Sequence, residues 1–282
     1  MKQSSYPLVS VIVRTCQRPQ ILRRALESIR RQTYPNIETV IVEDGASAAE
    51  EMLRKEYQNF RYIYESTGIP VGRSAAGNWG LKLSKGKYIN FLDDDDGFLP
   101  EHIERLVKEI EQHKEKAVYA AAQERQILPY RTAGNKTRIR RCFVRYRQPF
   151  YRLLLYTENY IPIQSILFAR SLYEDLGGLD ESLEVFEDWD LWVRYSTVTD
   201  FRYIDRVTSY YVVPYSRRKK KERAGSFKDG CGQLYDNFQK YQAQFTVSEI
   251  NKEMLYIIRQ YKEHQVVRYL RMFVRIVLLG ER

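Results

Sequence analysis

Histidine and cysteine are scarce: the 282 residues carry three of each. Cys16, Cys142 and Cys231 lie far apart, are odd in number and show no Cys-x-x-Cys spacing. That excludes a disulfide framework and a thiolate zinc site, and makes a reducing cytoplasm the expected setting. Three scattered histidines exclude a His-rich zinc centre and leave no assignable Ser-His-Asp triad. No stretch approaches the ~18 apolar residues of a membrane-spanning helix. The first apolar run, Leu8 to Val13, stops at Arg14 and is too brief for a secretory signal. Acidic side chains are outnumbered, 36 against 46 basic, a formal balance of +10 that favours anionic partners: nucleotides, phosphates, nucleic acid or a membrane surface. The glycine-rich turn of a nicotinamide-dependent dehydrogenase is missing after the first apolar run, where Arg14-Thr15-Cys16-Gln17-Arg18 stands instead. A P-loop is missing too: Gly80 to Gly86-Lys87 is one residue too long, and Tyr88 replaces the required Ser or Thr.

What is present is enough apolar material for a core (44% hydrophobic) in a chain sized for one large domain, or one domain with an appendage. Over the first ~125 residues, short β-rich runs alternate with stretches of helical period. Leu8–Val13, Glu38–Val42, Phe60–Tyr64, Tyr88–Leu92 and Val118–Ala122 read as strands. Helices are expected from Pro19, over Glu50 to Tyr57, over Ser74 to Leu83 and from about Pro100. This rhythm predicts an α/β fold, a mostly parallel sheet flanked by helices, with ligands at the carboxyl ends of the strands.

Three groups of acids stand at such ends. Asp93-Asp94-Asp95-Asp96 directly follows the fourth run. Adjacent carboxylates raise one another's pKa, and a divalent cation, which prefers hard oxygen ligands, is the natural relief. Alternation along the chain puts Asp93 and Asp95 on one side and Asp94 and Asp96 on the other, so that one pair would face metal and nucleotide while the other caps the next helix. Asp44 closes the second run, as an ordinary Asp-Gly turn or as an acceptor for a base N–H or a ribose hydroxyl. Asp188, in Phe186-Glu187-Asp188-Trp189-Asp190-Leu191-Trp192, is either a helix N-cap or a general base beside aromatics that limit water.

Together these segments resemble glycosyltransferase family 2. Val9-Ser10-Val11-Ile12-Val13-Arg14-Thr15 resembles its first strand, and Val40-Ile41-Val42-Glu43-Asp44-Gly45 its nucleobase-binding strand end. Phe91-Leu92-Asp93-Asp94-Asp95-Asp96 resembles its DxD segment, and Glu187-Asp188 its late acidic pair. The resemblance implies a GT-A (Rossmann-like) catalytic domain over 1–215, with a nucleotide-sugar-binding half (1–125) and an acceptor and base half (126–215). A flexible basic loop and a C-terminal helical appendage would occupy 216–282. It also implies an inverting, metal-dependent transfer from a UDP- or dTDP-sugar to a saccharide or lipid-linked hydroxyl, as in bacterial surface polysaccharide or glycoconjugate synthesis. Asp95 would ligate Mn²⁺ or Mg²⁺, and Asp93 the metal's water shell or the ribose. Arg14, Thr15, Asp44, Asp93 and Asp94 would contact the nucleotide sugar, and Asp188 would be the catalytic base. In Gly72-Arg73-Ser74-Ala75-Ala76-Gly77-Asn78-Trp79-Gly80, Gly77 stands where that family usually has arginine, and Arg73, one turn earlier, is the expected replacement near the diphosphate.

The basic segments keep two readings each. Residues 131–147 hold seven basic and no acidic side chains and would either line a groove for an anionic acceptor or form an exposed strand face. Arg217-Arg218-Lys219-Lys220-Lys221 would be a solvated loop or one that closes over the donor. In the tail, Val266, Leu270, Phe273 and Val277 share a helical face beside Arg268, Arg271 and Arg275, for packing or for peripheral contact with an anionic membrane at its cytoplasmic side. Two other classes compete: a nucleotidyltransferase, which would release pyrophosphate, and a nucleic-acid-binding module. The acidic cluster at the presumed site argues against nucleic acid, and none is expected.

Overall fold

The computed structural model describes residues 6–129, 137–215 and 230–260. Among these described residues, nine strands share one sheet: β1 (Val9–Thr15), β2 (Ile37–Glu43), β3 (Tyr62–Ser66), β4 (Tyr88–Asp93), β5 (Gly97–Phe98), β6 (Ala117–Pro129), β7 (Thr137–Val144), β8 (Ile166–Ala169) and β9 (Phe201–Pro214). Their order is β3-β2-β1-β4-β8-β6-β9-β5, with β7 paired to β6 alone. β1, β2, β3 and β4 are mutually parallel, and β8 runs antiparallel between β4 and β6, so that β6 and its parallel partner β9 point the same way as β1. The expected mostly parallel sheet is therefore present, with β5, β7 and β8 reversed.

The helices are α1 (Pro19–Arg30), α2 (Glu50–Glu56), α3 (Arg73–Leu83), α4 (His102–Gln112), α5 (Arg152–Leu155), α6 (Arg170–Leu176), α7 (Glu187–Ser196), α8 (including 230–238) and α9 (Val247–Gln260). Proline opens α1, where its missing N–H costs nothing, and Leu22, Ala25, Leu26 and Ile29 then recur on the buried face. One core joins α1, α2 and α4 to the sheet through Val11, Leu26, Leu53 and Leu106. The other joins α3 and α5 to α9 through Ile12, Leu81, Leu154, Trp192, Phe238 and Ile257. With both faces covered, the parallel strands read as near-continuous apolar runs.

Several boundaries differ from expectation. The third strand begins at Tyr62 rather than Phe60, whose ring instead packs edge-on to Tyr57. The run at Val118–Ala122 is the sixth strand and continues to Pro129, beyond the apolar core that made it legible. The expected C-terminal helices are present, and they pack against the rest of the chain: Leu234, Phe238 and Ile257 are buried, and Tyr151 stacks on Tyr256 at 3.9 Å. The basic run 217–221 and the tail from 261 lie outside the described residues. Among those described, no helix is long and apolar enough to cross a membrane.

Candidate active site

The loops after β1, β2 and β4 emerge at one edge of the sheet and remain tied together. Asp44 N–H donates to Thr15 O at 2.8 Å, and Asp94 N–H donates to Arg14 O at 3.2 Å. Around these ends lies a cleft of ≈ 590 Å³, lined by Arg14, Thr15, Arg18, Asp44, Arg73, Asp93, Asp94 and Asp95 among others. Seven residues singled out in the sequence thus meet in one place.

Their individual settings differ. Asp93 Oδ1 accepts from Arg14 Nε at 2.8 Å and pairs with Nη2 at 2.7 Å. Burial pushes the Asp93 carboxyl up, but the Arg14, Arg73 and Arg18 guanidiniums outweigh it and hold the group below the ordinary range. Asp94 is fully buried; Thr15 Oγ1 donates to it at 2.7 Å and Arg18 Nε at 3.1 Å. Burial lifts its pKa to about 6 despite Arg18. Asp94 therefore fixes Thr15 and Arg18 at the cleft rim. Asp95 stands 41% exposed, with Arg18 Nη1 at 3.8 Å, and burial with the neighbouring Asp93 charge pushes its pKa up. Asp96 turns away and accepts the backbone N–H of Val212, on β9, at 2.9 Å. Neither Asp94 nor Asp96 caps the next helix: α4 begins at His102 with Glu101 at its N-cap and no side-chain cap bond. The reason is competition, since Arg18 and the open N–H of Val212 claim these carboxylates first.

Asp44 is half-buried, and its two oxygens accept the N–H groups of Val71 (2.6 Å) and Gly72 (3.1 Å). This clamps the turn leading into α3, where Gly72 takes a φ of +91°. Arg73, expected as the replacement cation, opens α3 at the rim; it is 58% exposed and 3.5 Å from Glu187. The cation beside Gly77 is a different one: a Cβ there would sit 3.4 Å from Arg14 Cδ.

Asp188 lies next to the cleft rather than in its lining. It is the second residue of α7, whose N-cap is Phe186, so the N-cap reading is replaced by a position inside the first turn. Phe186 adopts φ +68°, a left-handed conformation costly for a bulky residue and characteristic of functional sites. Asp188 Oδ1 accepts from Asn159 Nδ2 at 3.1 Å and from the Trp189 N–H at 2.8 Å. Burial and then the Glu187 charge push its pKa to about 7, against those two bonds and Arg14. Glu187 Oε1 meets Arg14 Nη1 at 3.2 Å, so a single guanidinium joins the cleft to α7.

Sequence reading missed Arg18 and this role of Glu187. The only signal for Arg18 was its place before Pro19 at the start of a helix facing the strand ends. Arg138, Arg140 and Arg141 fall on the exposed strand β7, while Arg145 pairs with buried Glu124 at 2.9 Å.

Among the described residues, no group of three or more His, Cys, Asp or Glu side chains is arranged to hold a metal ion by itself. Asp93 and Asp95 do offer hard carboxylate oxygens at the cleft and suit Mg²⁺ or Mn²⁺ as a partial ligand set, which substrate oxygens and water would have to complete.

The glycosyl transferase family 2 model matches residues 10–176, more than half of the chain. The chain belongs to glycosyltransferase family 2. It is 30% identical over 208 residues to an uncharacterized glycosyltransferase of Rickettsia prowazekii, covering 71% of this chain and 62% of that protein. The chain thus spans a little under two thirds of that relative's length. In three dimensions it is similar to residues 1–349 of TarS from S. aureus in complex with UDP-GlcNAc, with a TM-score of 0.61 at 15% identity, covering 98% of this chain and 74% of that one. It is also similar to the mannosyltransferase PcManGT from Pyrobaculum calidifontis in complex with GDP-Man and Mn²⁺, with a TM-score of 0.63 at 16% identity over 96% and 76% of the two chains. At these identities the likeness establishes the GT-A fold of this chain, on which its own residues must carry the chemistry.

Proposed function

We propose that this glycosyltransferase moves a sugar from a nucleoside-diphosphate sugar to an acceptor hydroxyl with inversion, in one displacement. The observation that carries the reading is the pairing of two unlike carboxylate settings. Asp93 is held ionised among arginines in the cleft, while Asp188, beside it, is lifted to about 7. Titratable groups driven apart in this way are the mark of divided roles.

The donor lies across the strand ends, its base near Thr15 and Asp44 and its diphosphate toward Asp93, Asp95 and the Arg18 and Arg73 guanidiniums. UDP is the first choice of carrier and dTDP the second; GDP, carried by the mannosyl donor bound to PcManGT, is the alternative. A divalent cation held by Asp95, with Asp93 beside it, would supply positive charge for the leaving diphosphate. Asp188 takes the proton of the acceptor hydroxyl. The freed oxygen bonds to the anomeric carbon from the face opposite the diphosphate, whose bond to that carbon breaks with its electron pair. A base with a pKa close to the operating pH is ionised often enough to act and basic enough to be effective. The acceptor, a saccharide or a lipid-linked one, approaches from the Asn159 and Tyr146 side of Asp188, as fits polysaccharide or glycoconjugate assembly.

A thermal-shift panel of UDP-, dTDP- and GDP-sugars with and without Mn²⁺ tests the donor. One nucleotide at about 100 times its Kd in Mn²⁺ should raise the melting temperature by on the order of 5 °C, and by less without metal. Release of pyrophosphate instead of a nucleoside diphosphate would select the nucleotidyltransferase reading.

A further inference from the structure

We propose that Arg14 is a positioning residue: its guanidinium is a strut that holds Asp93 of the donor cleft and the Glu187-Asp188 pair at a fixed separation. This builds on the glycosyltransferase reading of the site but makes a separate claim about one residue.

Arg14 is the penultimate residue of β1, in register with Asp93 on β4. Its side chain is 5% exposed, so its charge has exchanged water for protein partners. Nε and Nη2 both reach Asp93 Oδ1, and Nη1 reaches Glu187 Oε1. A planar fork can bind two carboxylates in different directions at once; a lysine ammonium carries the same charge but lacks the rigid fork. The joined elements are remote in sequence, β1 and β4 on one side and α7 on the other. Arg73 does not duplicate the link, because its approach to Glu187 is longer and its side chain is mostly solvated.

The stem is confined as well. Arg14 Cζ lies 5.7 Å from the centre of the Phe91 ring. Across from it, a Cβ on residue 77 would come within 2.5 Å of Leu179 Cδ1 and 3.4 Å of Arg14 Cδ. A side chain at 77 would thus clash with Leu179 and touch the Arg14 stem only at van der Waals distance. Because transfer requires the acceptor oxygen, held by Asp188, to meet the anomeric carbon in line, a strut between the two carboxylate sites acts on turnover more than on donor affinity.

The test compares Arg14→Lys, Arg14→Ala, Gly77→Arg and the double variant Arg14→Ala/Gly77→Arg. UDP affinity in Mn²⁺, UDP release from UDP-GlcNAc and melting temperature are measured for each. Arg14→Lys should keep its melting temperature and bind UDP within about threefold of the parent, yet lose about 100-fold in kcat. Gly77→Arg alone should impair turnover, because its side chain must displace Leu179 beside the Arg14 stem. In the Arg14→Ala background, Gly77→Arg should instead recover at least about tenfold of the lost kcat, with Leu179 rotating aside. Parental kcat in Arg14→Lys, or a loss confined to donor KM, would overturn the strut and leave an ordinary donor-binding cation. If even the parent releases no UDP, the donor reading fails on its own account and melting temperature decides. A drop in Arg14→Ala that Gly77→Arg reverses supports the strut, and one it does not reverse refutes it.

Discussion

Asp188 shows how much a single carboxylate's chemistry depends on what surrounds it. Its neighbour Glu187 is paired with arginine, whereas Asp188 receives only an amide and a backbone N–H, and its pKa rises to about 7. Turnover should therefore increase with pH up to about 7 and level off above, where the base is fully ionised. Asp188→Asn should cut kcat by at least about 100-fold while UDP affinity stays unchanged. Stability carries the same signature with a definite sign. The folded pKa lies above the ordinary value near 4, so the native state binds more proton than the unfolded chain between pH ~4 and ~7, and stability falls as pH rises through that window. Thermal melts should accordingly find Asp188→Asn more stable than the parent at pH 8 and equal to it at pH 4; the reverse order would contradict the raised value. Asp95 is argued on different grounds, its exposed carboxylate at the cleft. Asp95→Ala should bind UDP equally with and without Mn²⁺, whereas the parent should bind it several-fold tighter with metal, as calorimetry would record.

Among the elements, those with the plainest sequence signal were those set by burial on two faces: the parallel strands as apolar runs, and α1 and α4 as amphipathic helices. The departures arise where long-range pairing decides. Nothing local announces β5, two residues held by Tyr210 and Ser209 on β9, or the bond from the Val212 N–H to Asp96 that removes this acid from both cleft and helix cap. Asp93, Asp94 and Asp95 were visible as a strand-end cluster, but not which of them a buried arginine would claim. The turn between α3 and β4 shows how tightly the site's scaffold is drawn. Buried Glu38 accepts from Ser10 Oγ (2.6 Å), Lys85 N (2.5 Å) and Gly86 N (3.1 Å). A Cβ on Gly86 would lie 2.5 Å from the backbone nitrogen of Ser10, which cannot rotate away. Gly86→Ala should therefore destabilise the protein by about 1–3 kcal/mol, seen as a lower denaturant midpoint with little change in slope.

At the scale of the whole molecule, the C-terminal helices are part of the body that carries Asp188. Phe238 packs edge-on to Trp189, Asn237 and Tyr241 bond Asp190, and Glu253 accepts the N–H of Leu153. Composition marked this region as helical, but only the tertiary partners of α7 reveal that it supports the helix carrying Asp188. Removing 247–282 should thus cost several kcal/mol, through loss of buried Ile257 and of the Tyr151–Tyr256 stack, and should lower turnover with it. Removing only 261–282 should leave the melting temperature within about 2 °C and reduce co-sedimentation with anionic vesicles; unaltered pelleting would assign that basic stretch to packing. The central claim, that acids and arginines at one sheet edge receive a nucleotide sugar, is tested most directly by a crystal structure of the protein with UDP and Mn²⁺. The account predicts uracil beside Thr15 and Asp44 and the diphosphate against Asp95; a nucleotide bound elsewhere, or a bare cleft at saturating ligand, would contradict it.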